Sequence, residues 1–281
     1  MSCIVCKGGP AKPKLRKGAV EILQCPDCGL AYWETPPGFR AEDTYDAEYF
    51  DGEEASHGFS DYASMEGAFR TSFAARLERL GAPAPGARLL DVGAAYGFAV
   101  SEAERLGWRA VGLEVSAAAA REAVKVTGGK VLVGSSLAMP FETEAFDAIT
   151  MWDVLEHLAD PHRAMQELAR LVKPGGRLVF TTGDVGSLVA RLSGSRWHLY
   201  TLPEHLYFFT RKSLEMLVSE HGFRVESMRA EGAYFSLGYL VERLRKTLLG
   251  HSGAKATWPG AKIRVPLNLF DIVTVSARRQ G

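Results

Sequence analysis

Apolar residues recur along this chain with two alternating periods, and the alternation predicts its architecture. Met65, Phe69, Phe73, Leu77 and Leu80 stand three or four apart, one stripe of a helix that Gly81 and Pro83 stop. Short apolar runs with strand character follow at 88–92, 109–114, 130–133, 146–152, 177–182, 223–228 and 271–276. Helical periods separate them: from the loop after Val92 to Leu106, then Ala117–Val126, Arg163–Val172 and Ser213–Glu220, with Tyr234–Leu248 before the last strand. Strands alternating with helices predict an α/β fold, a Rossmann-like and mostly parallel sheet with helices on both faces. No internal repeat is visible.

All four cysteines lie ahead of that pattern: Cys3, Cys6, Cys25 and Cys28. Two C-x2-C pairs eighteen residues apart fit the spacing of a four-thiolate zinc site. Pro26 presets φ in the second pair, and Gly29 can take the left-handed conformation that such a knuckle demands. Iron in a rubredoxin-like site would use the same ligands; two local disulfides or unpaired thiols are the alternatives. Four thiolates fill a tetrahedral site, so the expected metal is structural. A segment this short builds little core, and the ion would supply its folding energy. Residues 1–40 carry six basic and three acidic side chains, whereas 42–54 carry seven acidic ones. Thr35-Pro36-Pro37-Gly38 lies between them, which predicts a zinc ribbon over 1–40 and a second domain over 41–281.

Charge and composition narrow the function. Lys plus Arg and Asp plus Glu are 33 each, and apolar residues make up 47%. That composition excludes collagen-like, low-complexity and disordered classes. A surface that tracks nucleic acid should be basic, and zero net charge argues against one. No apolar run reaches the roughly 18 residues of a membrane span. The start shows no basic segment followed by a long apolar stretch, so a cytoplasmic location is expected.

Asp91-Val92-Gly93-Ala94-Ala95-Tyr96-Gly97 joins the strand at 88–92 to its helix. Small residues at 93, 95 and 97 let a ligand approach the backbone, and Glu114 can accept hydrogen bonds from ribose hydroxyls. The spacing departs from the dinucleotide fingerprint, and Asp91 ahead of the loop suits a ligand bearing a positive amine. This pattern resembles the class I S-adenosylmethionine-dependent methyltransferases over about residues 41–281. The resemblance implies a seven-stranded sheet with an antiparallel last strand, and S-adenosylmethionine as cofactor. Residues 90–98 look like the family's first motif, with Ala95 at a usual glycine, and Glu114 matches its ribose acid. Gly134-Ser135-Ser136-Leu137 matches its adenine-edge segment. Trp152-Asp153-Val154-Leu155-Glu156-His157-Leu158 looks like its fourth-strand motif, and Lys173-Pro174-Gly175-Gly176 like the turn before its fifth strand. The implied cofactor set is Asp91, Gly93, Ala95, Tyr96, Gly97, Glu114, Ser135, Ser136, Leu137, Trp152 and Asp153. His157 reads as a capping or core histidine.

Methyl transfer is an in-line displacement that needs alignment, exclusion of water and, for a protonated nucleophile, a base. The segment Arg196-Trp197-His198-Leu199-Tyr200-Thr201-Leu202-Pro203-Glu204-His205 falls after the fifth strand and runs into Leu206-Tyr207-Phe208-Phe209. It resembles a Pro-Glu-His segment in the methyltransferase subgroup acting on sugars, lipids and secondary metabolites. His205 is the candidate base, with Glu204, His198 and Tyr200 beside it; Phe208 and Phe209 are expected in the core. Residues 41–80, 184–210 and 232–265 are expected as covers or lids. Residues 240–281 carry eight basic and two acidic side chains, either a solvated cover or a lid over an anionic acceptor. The leading expectation is a small-molecule methyltransferase with structural zinc. An RNA methyltransferase whose ribbon contacts phosphates and a non-catalytic cofactor-binding scaffold are the other two.

Overall fold

Three short strands open the computed structural model, which describes residues 2–36, 39, 65–241, 260 and 263–281. β1 (Lys12–Lys17), β2 (Val20–Gln24) and β3 (Ala31–Trp33) form an antiparallel meander. Next come α1 (Glu66–Glu78), β4 (Arg88–Val92), α2 (Phe98–Arg105), β5 (Arg109–Glu114), α3 (Ala117–Thr127) and β6 (Val131–Val133). Then follow β7 (Phe146–Trp152), α4 (Pro161–Leu171), β8 (Val172–Gly183), α5 (Leu188–Ser193) and β9 (Tyr207–Phe208). α6 (Arg211–Glu220), β10 (Phe223–Ala230), β11 (Ala233–Ser236), β12 (Arg264–Leu267) and β13 (Ile272–Arg279) complete the described chain. Helix starts are capped by side chains: Ser116 accepts from the Ala119 amide, Asp160 from Arg163 beside Pro161, and Thr210 from Ser213.

The seven-stranded sheet runs β10-β13-β8-β7-β4-β5-β6. The five strands from β8 to β6 are parallel, and β13 inserts antiparallel between β8 and β10. Strand alternation divides the core. Leu89, Ala110, Ala148 and Val179 pack with α1–α3 residues on one face. Leu90, Ile149, Leu178 and Val275 face the other, with Met165 and Leu168 of α4 and Leu214 and Leu217 of α6. Among the described residues no helix is long and apolar enough to cross a membrane.

Two expectations change. Tyr234–Ser236 is not the start of a helix but lies in β11, which pairs with β12 and packs on α1; helix begins at 237. The β11–β12 ladder, with the Tyr234 amide donating to Ser72 Oγ at 2.9 Å, outweighs the helical spacing of Tyr234, Leu237 and Leu240. Residues 173–176 interrupt the β7–β8 ladder: Phe146 pairs with Val172, and Ala148 already with Arg177. That turn is a loop inside one long strand rather than its start.

The cysteine segment is bonded to the larger sheet's elements. β3 pairs with β9 through Ala31–Phe208 and Tyr32–Tyr207. Cys3, Val5, Cys25, Cys28 and Leu30 join the core beside α4 and α6. His162 Nε2 lies 2.7 Å from the Ile4 carbonyl, and Thr210 Oγ1 donates to the Cys28 carbonyl at 2.7 Å. The expected boundary at Thr35–Gly38, the acidic stretch 42–54 and the basic C-terminal segment lie wholly or partly outside the described residues.

Candidate functional site

A cavity of about 450 Å3 opens at the carboxyl ends of β4, β5, β7 and β8, where open α/β sheets take their ligands. Gly93 and Ala95 form its floor beside Glu114, and Ser135, Ser136 and Leu137 form one wall. Trp152 and Asp153 form the next, with His198 and His205 beyond them. Each covering segment expected from the sequence contributes: Phe69 and Phe73 from α1, Leu199 and Thr201, and Tyr234, Phe235 and Tyr239.

Glu114 organises the floor. The Ala95 amide donates to its Oε2 and the Ser116 amide to its Oε1, both at 2.8 Å. Burial raises its pKa, and the backbone donors of Ser116, Ala95 and Val115 oppose that rise. The acid therefore fixes the loop as well as facing the cavity. Gly93 has φ 75°, and a Cβ there would stand 2.4 Å from Val154 Cγ2. Its missing side chain makes room for the wall of the site. Ala95 holds φ 46° and Asp153 φ 54°, both left-handed without being glycine.

Several expected cofactor contacts lie one layer below. Asp91 is 1% exposed and accepts from Thr150 Oγ1 at 2.7 Å; burial pushes its carboxyl up to about 7. Tyr96 packs edge-on against Phe98. Gly97 starts α2 at φ 76°, and a Cβ there would strike Thr127 Cγ2 at 2.5 Å, so close packing on α3 requires glycine. These three support the loop rather than line the cavity.

The candidate catalytic residues separate similarly. Tyr200 is 1% exposed, wedged between Trp197 and Phe208, and its burial pushes the hydroxyl up to about 12. The Glu204 carbonyl lies 3.0 Å from His157 Nδ1, so its main chain orients a different histidine from the one expected. His198 Nδ1 lies 3.5 Å from buried Asp271 Oδ2, which also receives the Trp197 indole N–H at 2.8 Å. Phe208 and Phe209 are buried, as their pattern suggested.

His205 lines the cavity, and the sequence reading missed its two partners there. His157 packs edge-on against it at 4.5 Å, and one ligand atom each from Glu156, His157 and His205 lie within 4.8 Å of one another. Both imidazoles place Nδ1 on a carbonyl, His157 on Glu204 and His205 on Leu199 at 2.9 Å. A carbonyl only accepts, so the neutral His205 ring carries its proton on Nδ1, while His157 also bonds the Asp153 main chain. Burial pushes His157 down to about 4. Burial, with the nearby Asp153 charge, pushes Glu156 up to about 8, while Thr182 Oγ1 donates to its Oε2 at 2.9 Å. The Glu-His dipeptide at the end of a cavity strand was the available signal.

In the cysteine segment the four thiols converge. Cys3 and Cys28 Sγ lie 3.6 Å apart, Cys6 and Cys25 Sγ 3.4 Å, and all four are within 4.8 Å. Disulfide sulfurs lie about 2.05 Å apart. Thiolates about 2.3 Å from one tetrahedral centre lie ~3.8 Å apart, close to this spacing. The donor set fits a single zinc ion.

Known proteins match this chain. The sequence profile of a methyltransferase domain matches residues 65–228, more than half of it. A ubiquinone biosynthesis O-methyltransferase of Alkalilimnicola ehrlichii is 35% identical over 129 residues, 42% of this chain and 51% of that protein. One from Paracidovorax citrulli is 29% identical over 170 residues, 55% and 70% of the two chains. The chain thus spans about half the length of the first of these relatives. A geranyl diphosphate C-methyltransferase of Streptomyces coelicolor superposes with a TM-score of 0.55 at 18% identity, covering 86% of this chain and 100% of that one. The YcgJ protein of Bacillus subtilis gives 0.55 at 17%, covering 75% and 99%. These two superpositions show a shared fold.

Proposed function

This chain belongs to the methyltransferase domain family, and on that premise we propose that it moves the methyl group of S-adenosylmethionine to a small-molecule hydroxyl acceptor. The observation that carries this reading is Glu114, a buried acid that grips the Gly93–Ala95 loop and faces the cavity at the strand ends. Glu114 receives ribose hydroxyls, Ser135, Ser136 and Leu137 border the adenine, and Gly93 and Ala95 lie under the amino-acid tail. When bound, the cofactor supplies an electrophilic methyl group on a sulfonium. Phe69, Phe73, Trp152, Tyr234 and Tyr239 suit an aromatic or apolar acceptor body and exclude water from the reacting centre.

A hydroxyl acceptor fits the His205 imidazole, whose Nδ1 is held by a carbonyl so that Nε2 is its basic nitrogen, and the relatives' names specify O-methylation. His205 Nε2 takes the acceptor proton as the oxygen attacks. His157, held down near 4, stays neutral beside it, and protonated Glu156 adds no second negative charge at neutral pH. Cys3, Cys6, Cys25 and Cys28 hold a structural zinc ion that braces the β3–β9 ladder behind His205. Incubation with methyl-tritiated S-adenosylmethionine and a panel of phenols tests the reading. Label is expected in a phenol ether, with S-adenosylhomocysteine formed in equal amount. Label transfer to RNA alone would favour the nucleic-acid reading, and no turnover with any acceptor would favour a scaffold.

A further inference from the structure

The short helix α5 turns two leucines outward: Leu188 and Leu192, one turn apart, are 70% and 79% exposed. Between them Ala190 is buried in a cluster with Ile22, Trp197 and Tyr200, and Leu15 of β1 packs against the same cluster. The turn at 194–196 also packs on β1, and burial together with the Arg191 charge lowers the pKa of Lys14. α5 and β1 therefore form one surface. It carries Lys12, Lys14, Arg16, Lys17, Arg191 and Arg196, and across 12–24 and 186–196 the sole acid is Glu21. Among the described residues none of the six pairs with a carboxylate, whereas cations elsewhere do, Lys125 with Glu122 and Lys130 with Glu104. A chain of zero net charge thus gathers six unpaired cations beside two protruding leucines. The cavity adjoins this surface: the Asp184 amide, just ahead of α5, donates to the Asp271 carbonyl at 2.8 Å. Leu267 and Leu269 line the cavity yet stay exposed at its mouth, next to Phe270, which is 67% exposed.

We propose that α5 and β1 seat this protein on an anionic lipid bilayer, with Leu188 and Leu192 entering the acyl boundary and the six cations meeting headgroup phosphates. Reversible peripheral binding combines buried apolar area with attraction to anionic lipid, and this surface supplies both. RNA phosphates would use the cations and leave the leucines idle, so the pairing of the two favours a bilayer. Two side chains that project, rather than line a groove, suit a fluid interface better than a folded partner. Seated this way, the protein takes an apolar acceptor from the membrane at the cavity mouth; that consequence rests on the function proposed above, whereas the docking does not.

Co-sedimentation of the full chain with vesicles of phosphatidylcholine alone, and of phosphatidylcholine mixed with phosphatidylglycerol, tests the proposal. Wild-type protein is expected to bind the anionic vesicles at least about ten-fold more tightly than the neutral ones, and to leave them at high salt. Two double variants separate the contributions. Leu188→Ser with Leu192→Ser should weaken binding to anionic vesicles about ten-fold while its salt dependence remains. Lys12→Glu with Arg191→Glu should remove the preference for anionic lipid. All four side chains are exposed, so both variants should melt with wild type; should one pair fail to fold, the other still tests the surface. Wild-type protein that sediments with neither vesicle overturns the proposal, and retention of an RNA duplex in that case makes the cations a nucleic-acid surface. Binding to anionic vesicles that both double variants leave unchanged equally overturns it, since another face would then carry the contact. S-adenosylhomocysteine titration is read separately, so failure of the cofactor reading and failure of membrane docking are distinct results.

Discussion

Ala95 shows how single residues carry the account. Its backbone is left-handed at φ 46°, a conformation costing an L-residue about 1–2 kcal/mol. Glycine relieves that strain and adds about 0.5–1 kcal/mol of chain entropy cost. Ala95→Gly should therefore equal wild type or exceed it by up to about 1.5 kcal/mol in a denaturant titration; a clear loss would show an unstrained loop. Glu156 predicts a pH dependence. Its carboxyl titrates near 8 in the fold and near 4.5 unfolded, so its contribution is fully present below about 4.5. It then falls by at most about 1.4 kcal/mol per pH unit as the pH rises through 8. Glu156→Gln should abolish that slope in melting temperatures between pH 5 and 8.5, and an equal slope in both proteins would contradict the burial argument. His205→Ala should lower kcat about 10²- to 10⁴-fold with cofactor affinity intact, read from turnover and titration together. At this scale the first motif and Glu114 were legible, because loop chemistry is local. The roles of Asp91 and Gly97 were not, since each depends on a neighbour distant in sequence: Thr150 and Thr127.

Elements were legible where their own period was strong. The strands from β4 to β8 and the helices between them follow directly from it, whereas β9 has only two residues and exists through pairing with β3. That pairing gives the cysteine segment a consequence for the site. Trp33 Nε1 donates to the His205 carbonyl at 3.0 Å, and β3, which follows the second cysteine pair, is paired with β9. Cys25→Ser, or removal of the metal by a chelator, should lower the melting temperature and speed amide exchange in β2, β3 and β9 together. Protection lost in β1 and β2 alone, with β9 unchanged, would separate the metal from the cavity.

For the whole molecule, a parallel sheet brings residues far apart in sequence to one rim. Gly93, Glu114, Trp152 and Gly183 share a cavity because their strands end side by side, and the loop ahead of β9 adds His205 to it. The rim was legible in outline from the motif order. Its closing walls, Arg76 on α1 and Tyr234 on β11, were not, because a helical stripe does not reveal which of its residues meets a cavity. The central claim is that this cavity binds S-adenosylmethionine through Glu114. Titrating S-adenosylhomocysteine into wild-type protein and into Glu114→Ala, with melting curves to show both are folded, tests it most directly. One site per chain is predicted, weakened by about 1.5–3 kcal/mol in the variant, roughly ten- to a hundred-fold. A folded Glu114→Ala protein with wild-type affinity, or a wild-type protein that takes up no nucleoside, would contradict it.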